Sequence, residues 1–327
     1  MLIPQSCLSL VAMKTILSAT LLIFALMLNT SVQAQELKAE DNRAFSELFP
    51  ANAKVETLGA DFQFTEGPAW VGGKEGFLIF SDIPANKIYR WSEGAGFSAF
   101  RLPSQQSNGN NLDLQGRIIT AEHWGRRVSL QKGNGMIITL LDNYRGKKFN
   151  SPNDVVVKND GTVWFTDPDY GLRDRPRELE NNNVFRYDPL TDELTVVVDD
   201  FVKPNGLCFS PDESKLYIAD SGTPKHIRVF GVQSDGTLSG GDVFAALDKG
   251  GPDGMRCDSE GRLWTSSGDG AQVFSSGGKL LARVLLPKGG ANLCFGGPHG
   301  NTLYITARNA VYAVETKSQD AHARRND

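Results

Sequence analysis

Short runs of apolar residues, each closed by one or two small or polar residues, recur along the chain. They are Phe77 to Asp82 (FLIFSD), Arg117 to Glu122 (RIITAE), Thr162 to Asp167 (TVWFTD), Lys215 to Asp220 (KLYIAD), Arg262 to Ser267 (RLWTSS) and Thr302 to Ala307 (TLYITA). Runs this short, rich in β-branched and aromatic residues and commonly preceded by a Gly-containing turn, predict strands and not helices. Their ends are separated by 40, 45, 53, 47 and 40 residues, so one strand-and-turn unit is written six times.

Ahead of each hexamer a tight polar turn feeds a second apolar run. The turns begin at Glu66, Asn108, Asn153, Asn205, Asp253 and Asn292, and each leads the end of its hexamer by 14 to 16 positions. Further strand candidates follow each hexamer, among them Lys87 to Trp91, Asn183 to Asp188 and Ile227 to Val232, giving three or four strands per unit. A period of ~40 to 50 residues built from short strands predicts propeller blades, in which radial four-stranded sheets leave few exposed edges. A linear solenoid would need polar capping repeats, and the chain has none. The last unit runs out one strand short while Lys54 to Leu58 precedes the first unit without a partner. The expected fold is therefore an all-β six-bladed β-propeller whose N-terminal strand closes the last blade. One propeller domain is expected over 35–316, followed by a polar tail, 317–327.

The first residues differ in character: Lys14, then an apolar run from Ile16 to Leu28, then small residues including Val32 and Ala34. This predicts a cleaved signal peptide over 1–34, with Met13 as an alternative start and 1–12 as an upstream extension. The apolar run is too short to cross ~30 Å of hydrocarbon. A periplasmic or secreted protein without stable membrane insertion is expected. A net charge of -4 offers no basic surface for phosphates, which argues against nucleic acid as a partner. No feature of the sequence assigns an oligomeric state. Beyond the leader, Cys208, Cys257 and Cys294 are odd in number and lie inside apolar runs, so they are read as buried small hydrophobes and not as a disulfide framework.

The first strand of a propeller blade lines the central channel, so the six polar turn residues should converge on one mouth. Two carboxylates and four carboxamides supply hard oxygen donors without thiolate or imidazole, a set suited to Ca²⁺, Mg²⁺ or Mn²⁺. Asn and Asp beside Gly are also ordinary turn formers; Glu66 is not. His123, next to Glu122, is the one histidine embedded in a motif and is a candidate substrate contact or acid/base group.

Several motifs in order, Glu66-Gly-Pro-Ala-Trp, Ser81-Asp-Ile-Pro-Ala-Asn-Lys-Ile-Tyr-Arg-Trp, Asn150-Ser-Pro-Asn-Asp-Val-Val-Val, Pro204-Asn-Gly-Leu-Cys-Phe-Ser and Pro252-Asp-Gly-Met-Arg-Cys-Asp, resemble the senescence marker protein (regucalcin)/gluconolactonase family. The likeness runs from about Val55 to Val314. Ser107-Asn-Gly-Asn-Asn-Leu and Ala121-Glu-His-Trp-Gly-Arg-Arg-Val are similar to its bacterial gluconolactonase branch. The resemblance implies a six-bladed propeller that opens sugar lactones with one divalent cation, commonly Ca²⁺ or Zn²⁺. It implies metal ligation by Glu66, Asn205 and Asp253, and a substrate-side role for Asn153, which binds the metal in related phosphotriester-hydrolysing propellers. Asn108 and His123 are taken as substrate contacts. Ser151 stands where animal members carry a substrate-binding Arg, so sugar contacts in that quadrant do not carry over.

The implied chemistry is metal-assisted hydrolysis of a small-molecule ester, with Asp253 both ligand and water-activating base, although a metal-bound carboxylate is a weak base. No Gly-x-Ser-x-Gly elbow and no Cys–His arrangement supports a covalent route. A metal-dependent esterase or phosphotriesterase on the same scaffold, and a non-catalytic ligand-binding propeller, are the alternatives.

Overall fold

The structure, a computed structural model, is described for residues 35–323. The predicted signal peptide with its cleavage site, and residues 324–327 of the tail, lie outside the described residues.

Six antiparallel sheets of the expected kind follow one another along the chain. Blade one is Thr65–Val71, Phe77–Asp82, Lys87–Ser92 and Gly96–Arg101; blade two begins at Ser107–Leu112, blade three at Val155–Val157 and blade four at Pro204–Phe209. Blade five begins at Met255–Cys257 and blade six at Asn292–Gly296. In each, the sequence hexamer forms the second strand. Blade six is completed by Val55–Gly59, which pairs antiparallel with Ala310–Glu315 in the register Val55↔Val314, Glu56↔Ala313 and Thr57↔Tyr312. The first strand of the propeller thus closes the ring and removes an open sheet edge.

The apolar core is divided among the blade junctions, as a radial architecture requires. One buried cluster joins blades one and two (Ala69, Ile79, Leu112, Ile118), another two and three (Ile119, Val128, Val155, Phe165), and another three and four (Trp164, Leu207, Phe209). The rest join four and five (Tyr217, Met255, Leu263), five and six (Trp264, Leu293, Phe295), and six and one (Tyr304, Leu78, Phe80). All three cysteines of the described residues are free and buried at these junctions.

Two features were not predicted from sequence. Glu36–Ala39 adds a fifth, outermost strand to blade five, pairing with Leu280–Leu285. A short helix, Asn42–Leu48, follows, capped by Asp41, whose carboxylate accepts the Ala44 N–H at 2.7 Å. The helix seats Leu48 and Phe49, both fully buried, against blades five and six, with the Phe49 ring edge-on to Trp264. The tail is also partly ordered by the sheet it meets: Gln319 O accepts from Ser259 N, and Ala321 N donates to Cys257 O at 3.0 Å. The innermost strand of blade five has unpaired backbone groups there, and the tail satisfies them.

Phe49→Ala is expected to cost about 3–5 kcal/mol through the cavity it leaves, lowering the melting temperature by on the order of 10 °C. Thermal unfolding followed by circular dichroism measures this; a shift of a degree or two would mean that Phe49 adds little to the packing of the segment against blades five and six.

Candidate functional site

The six first strands start so close together that adjoining turns touch. A Cβ on Gly67 would overlap the Asn108 carbonyl, one on Gly109 would overlap Asp154 Oδ1, one on Gly206 the Asp253 carbonyl, and one on Gly254 the Asn292 carboxamide. Gly67 also has φ +48, a left-handed conformation that glycine adopts freely. The turn residues before these glycines are therefore brought to one end of the channel. Glu66, Asn108, Asn153 and Asn205 are all buried there. Asp253 is partly exposed as a residue, although its Oδ1 is enclosed.

Main-chain carbonyls at this end are held by hydroxyls near the ends of the second strands. Ser81 Oγ donates to Asn108 O (2.8 Å), Thr166 Oγ1 to Asn205 O (2.8 Å) and Thr306 Oγ1 to Asn292 O (3.2 Å). With the backbone satisfied, the side-chain oxygens are left over. Asn108 Oδ1, Asn205 Oδ1 and Asp253 Oδ1 are buried without any hydrogen-bond partner. Unpaired buried oxygens cost free energy unless something electropositive meets them. Asn292, the sixth turn residue, differs: its Oδ1 accepts from Leu293 N at 2.8 Å, and its Nδ2 faces Asp154 Oδ2 at 3.5 Å. It braces the site and is not a free donor.

Electrostatics point the same way. Burial, and then the charges of Asp253 and Asp154, push the Glu66 carboxyl well up, while the Gly67 N–H (2.9 Å) and then Asn292 lower it. Burial and then Asp154 push Asp253 up to about 8, while Asn205 hydrogen-bonds it and pulls it down. Burial raises Asp154 as well, offset first by Arg256. Several carboxylates share one small space, and a cation would relieve all of them. Among the described residues no three His, Cys, Asp or Glu side chains are gathered as ligands, so an ion here needs the carboxamide oxygens too. Glu66, Asn153, Asn205 and Asp253 fit that requirement.

His123 stands at the rim. Asn108 Nδ2 donates to its Nε2 at 3.2 Å, which requires that nitrogen to be unprotonated. Burial, with Arg175 and Arg173 nearby, pulls the imidazole down to about 4, in agreement. Arg175 fixes the turn by donating to His123 O (2.9 Å) and Trp124 O (2.8 Å). Its guanidinium lies 4.5 Å from the centre of the Trp124 ring, and Trp124 is half exposed. Asp167 and Asp220, which end their hexamers, cap turns: Asp167 accepts the N–H groups of Asn150 and Ser151, and Asp220 those of Val202 and Lys203.

Sequence reasoning missed Tyr170, Asp154 and Arg256. Tyr170 lies near Asp253, Ser221 and Asn205; burial, and then the Asp253 charge, raise its hydroxyl to about 12. It lies in a long loop that no other blade repeats, so no equivalence could flag it. Asp154 follows Asn153 directly, and a carboxylate beside the polar turn was the available signal; the structure buries it fully.

Comparison with known proteins agrees with this geometry. The model of the SMP-30/Gluconolactonase/LRE-like region matches residues 64–309. A gluconolactonase of Zymomonas mobilis is 34% identical over 301 residues, covering 83% of both chains. The crystal structure of a gluconolactonase from Xanthomonas campestris superimposes with a TM-score of 0.81 at 33% identity, covering 86% of this chain and 95% of that one. A calcium-binding regucalcin of Agrobacterium tumefaciens shares the fold, with a TM-score of 0.66 at 21% identity over 80% of this chain and 94% of that one. The matched region takes in all six first strands and every residue of the mouth, and the chain belongs to the SMP-30/gluconolactonase/LRE-like family.

Proposed function

We propose that the chain is a gluconolactonase-like hydrolase that opens a sugar lactone at the channel mouth with a divalent cation held by Glu66, Asn153, Asn205 and Asp253. The observation that carries the cation is the set of buried, partnerless oxygens on Asn108, Asn205 and Asp253; relatives named gluconolactonase carry the reaction. Such a cation, when bound, would polarise the lactone carbonyl and offset charge developing on its oxygen. The donor set is all oxygen, which favours a hard cation over Zn²⁺, and Ca²⁺ is the ion proposed because a cage made of protein oxygens suits it better than Mg²⁺, which keeps several waters.

Hydrolysis adds water to the lactone carbonyl, breaks the ring C–O bond and releases a hydroxy acid. Asp253 would be both a ligand and the carboxylate that takes the proton of the attacking water; its Oδ1, buried without a hydrogen-bond partner, supports the reading. Tyr170, protonated throughout the physiological range, lies near Asp253 and could donate to a substrate oxygen there. His123 serves as a neutral contact and not as a titrating acid, because its Nε2 is already engaged by Asn108. The half-exposed rings of Trp124 and Tyr170 offer the apolar face of a sugar a surface at the rim. Covalent catalysis by cysteine is disfavoured, since burial pushes the Cys294 thiol up to about 12 and Cys208 well up. We also propose that the protein is periplasmic or secreted, on the composition of residues 14–34; cell fractionation and the mass of the mature N-terminus test this.

Acid release from aldonolactones and organophosphates, each assayed with Ca²⁺, Mg²⁺, Mn²⁺ and Zn²⁺, identifies the substrate class. Aldonolactone turnover that disappears with chelator is expected; organophosphate turnover alone would replace the lactonase reading. Asp253→Ala should lower kcat by on the order of 10² to 10³ with an unchanged fold, as loss of a group acting on the transition state does. Asn205→Asp should tighten the cation and slow turnover, because a further carboxylate weakens the ion as a Lewis acid. Calorimetric affinity and kcat both equal to wild type would reduce Asn205 to a turn residue.

His123 also predicts a pH dependence of stability. The unfolded chain protonates this imidazole near the ordinary 6.5, whereas the folded chain resists until about 4. Stability from this group is complete above the unfolded value and is lost as pH falls from 6.5 toward 4, by on the order of 3 kcal/mol. Denaturant titrations near pH 7 and near pH 4 should show a smaller loss for His123→Gln; an equal loss would mean that the imidazole titrates normally.

A further inference from the structure

A buried guanidinium needs negative charge nearby, and Arg256 has no ion pair. It is 7% exposed, and its Nη1 donates only to the carbonyl of its own neighbour Met255, at 2.7 Å. On one side it borders a 450 Å³ cavity at the other end of the channel, walled by Trp70, Phe209 and Phe295 and flanked by Asp320 and His322. The carboxylates whose charge acts on it are Asp154 and then Asp320; Asp154 is fully buried, its Oδ1 accepts Val155 N at 2.9 Å and its Oδ2 faces the Asn292 carboxamide. That carboxamide packs against Gly254, two residues before Arg256. Asp154, Asn292 and the strand carrying Arg256 therefore form one continuous contact path along the channel.

The mouth cannot balance its own charge. Glu66, Asp154 and Asp253 are three carboxylates and His123 is neutral; of the buried arginines among the described residues, Arg101 and Arg126 pair with Glu122 and Glu178, which leaves Arg256, while Arg308, whose charge also lowers Asp253, is exposed. With all three carboxylates ionised, as a bound cation would hold them, three negative charges and one positive leave two, the charge of one divalent ion. We propose that Arg256 and Asp154 are positioning residues, a charge pair acting along the channel that sets the field of the mouth to match a single divalent cation. Neither touches substrate. Asp154 places its charge close behind the oxygen donors, and Arg256 keeps that charge from being excessive. At an effective dielectric constant near 20, charges several ångströms apart shift a binding constant by about ten- to a hundredfold. The inference rests on reading the mouth as a cation site.

A double-mutant cycle tests it: wild type, Asp154→Asn, Arg256→Met and the double variant, each titrated with CaCl₂ by calorimetry and melted in chelator. Asp154→Asn leaves Arg256 uncompensated beside the incoming ion and should weaken Ca²⁺ binding by about tenfold or more. Arg256→Met should bind at least as tightly as wild type, and the double variant should recover most of the affinity that Asp154→Asn loses. In chelator, both single variants should melt lower than the double variant, because each leaves one buried charge without its counterpart. Arg256→Lys keeps the charge and should follow wild type. The charge pair is overturned if the double variant binds as weakly as Asp154→Asn, or if Asp154→Asn binds like wild type. A wild-type chain that takes up none of Ca²⁺, Mg²⁺, Mn²⁺ or Zn²⁺ removes the cation reading instead, and the chelator melts then decide the pair alone: additive losses overturn it.

Discussion

Six strands must begin within contact distance of one another around a single axis, and the rest of the molecule follows from that crowding. No side chain fits where Gly67, Gly109, Gly206 and Gly254 meet the neighbouring turns. With the backbones this close, the polar residue before each glycine turns into the channel, where water is scarce. The apolar residues of the same strands are directed to the blade junctions, which is why the core is split into separate inter-blade clusters instead of filling the axis. A channel lined by oxygen atoms is the by-product of closing the ring.

Hydroxyls decide which of those oxygens remain available. Ser81, Thr166 and Thr306 occupy the fifth position of their hexamers and donate to main-chain carbonyls of the first strands. Each bond removes a backbone acceptor from competition; at Asn108 and Asn205 the side-chain oxygen is left without a donor, while Asn292 Oδ1 accepts Leu293 N. Buried ion pairing fixes the rim: Glu122, fully buried, accepts from both Arg101 and Arg127 and so anchors the strand end that presents His123. A buried carboxylate held by two guanidiniums adds little net stability, but removing one partner is costly. The rim turn is thereby kept in one arrangement while the mouth stays electrostatically unsatisfied.

The repeat made the blades legible, because hexamer and polar turn recur at nearly constant offset and each strand's alternation survives in every unit. Closure was legible too, from a strand candidate at one end and a deficit at the other; Val55–Gly59 fills that place. The convergence of Glu66, Asn108, Asn153, Asn205 and Asp253 followed from equivalence alone. Equivalence misled at Asn292, whose carboxamide is spent on Leu293 N and Asp154. Where the repeat breaks, the sequence was silent: Tyr170 sits in an unrepeated loop, and helix Asn42–Leu48 precedes the first blade. Arg256 was hidden by the opposite fault, lying in a repeated apolar run where a charged residue reads as a strand position facing solvent.

That charged residue also bears on how one scaffold can hold a reactive cation without collapsing when the ion leaves. A ring of carboxylates alone would repel itself, and at low dielectric this repulsion would oppose folding. A mouth neutralised entirely by protein cations would fold readily and bind no ion. An internal guanidinium set back from the mouth lies between these limits. It lowers the repulsion among Glu66, Asp154 and Asp253 without occupying the oxygens of Asn205 and Asp253, which stay partnerless. The remaining deficit is of the size one divalent ion cancels. Under the proposed reading, binding strength would be set by a residue that never contacts the ion, and the donor set would remain free to be tuned for chemistry.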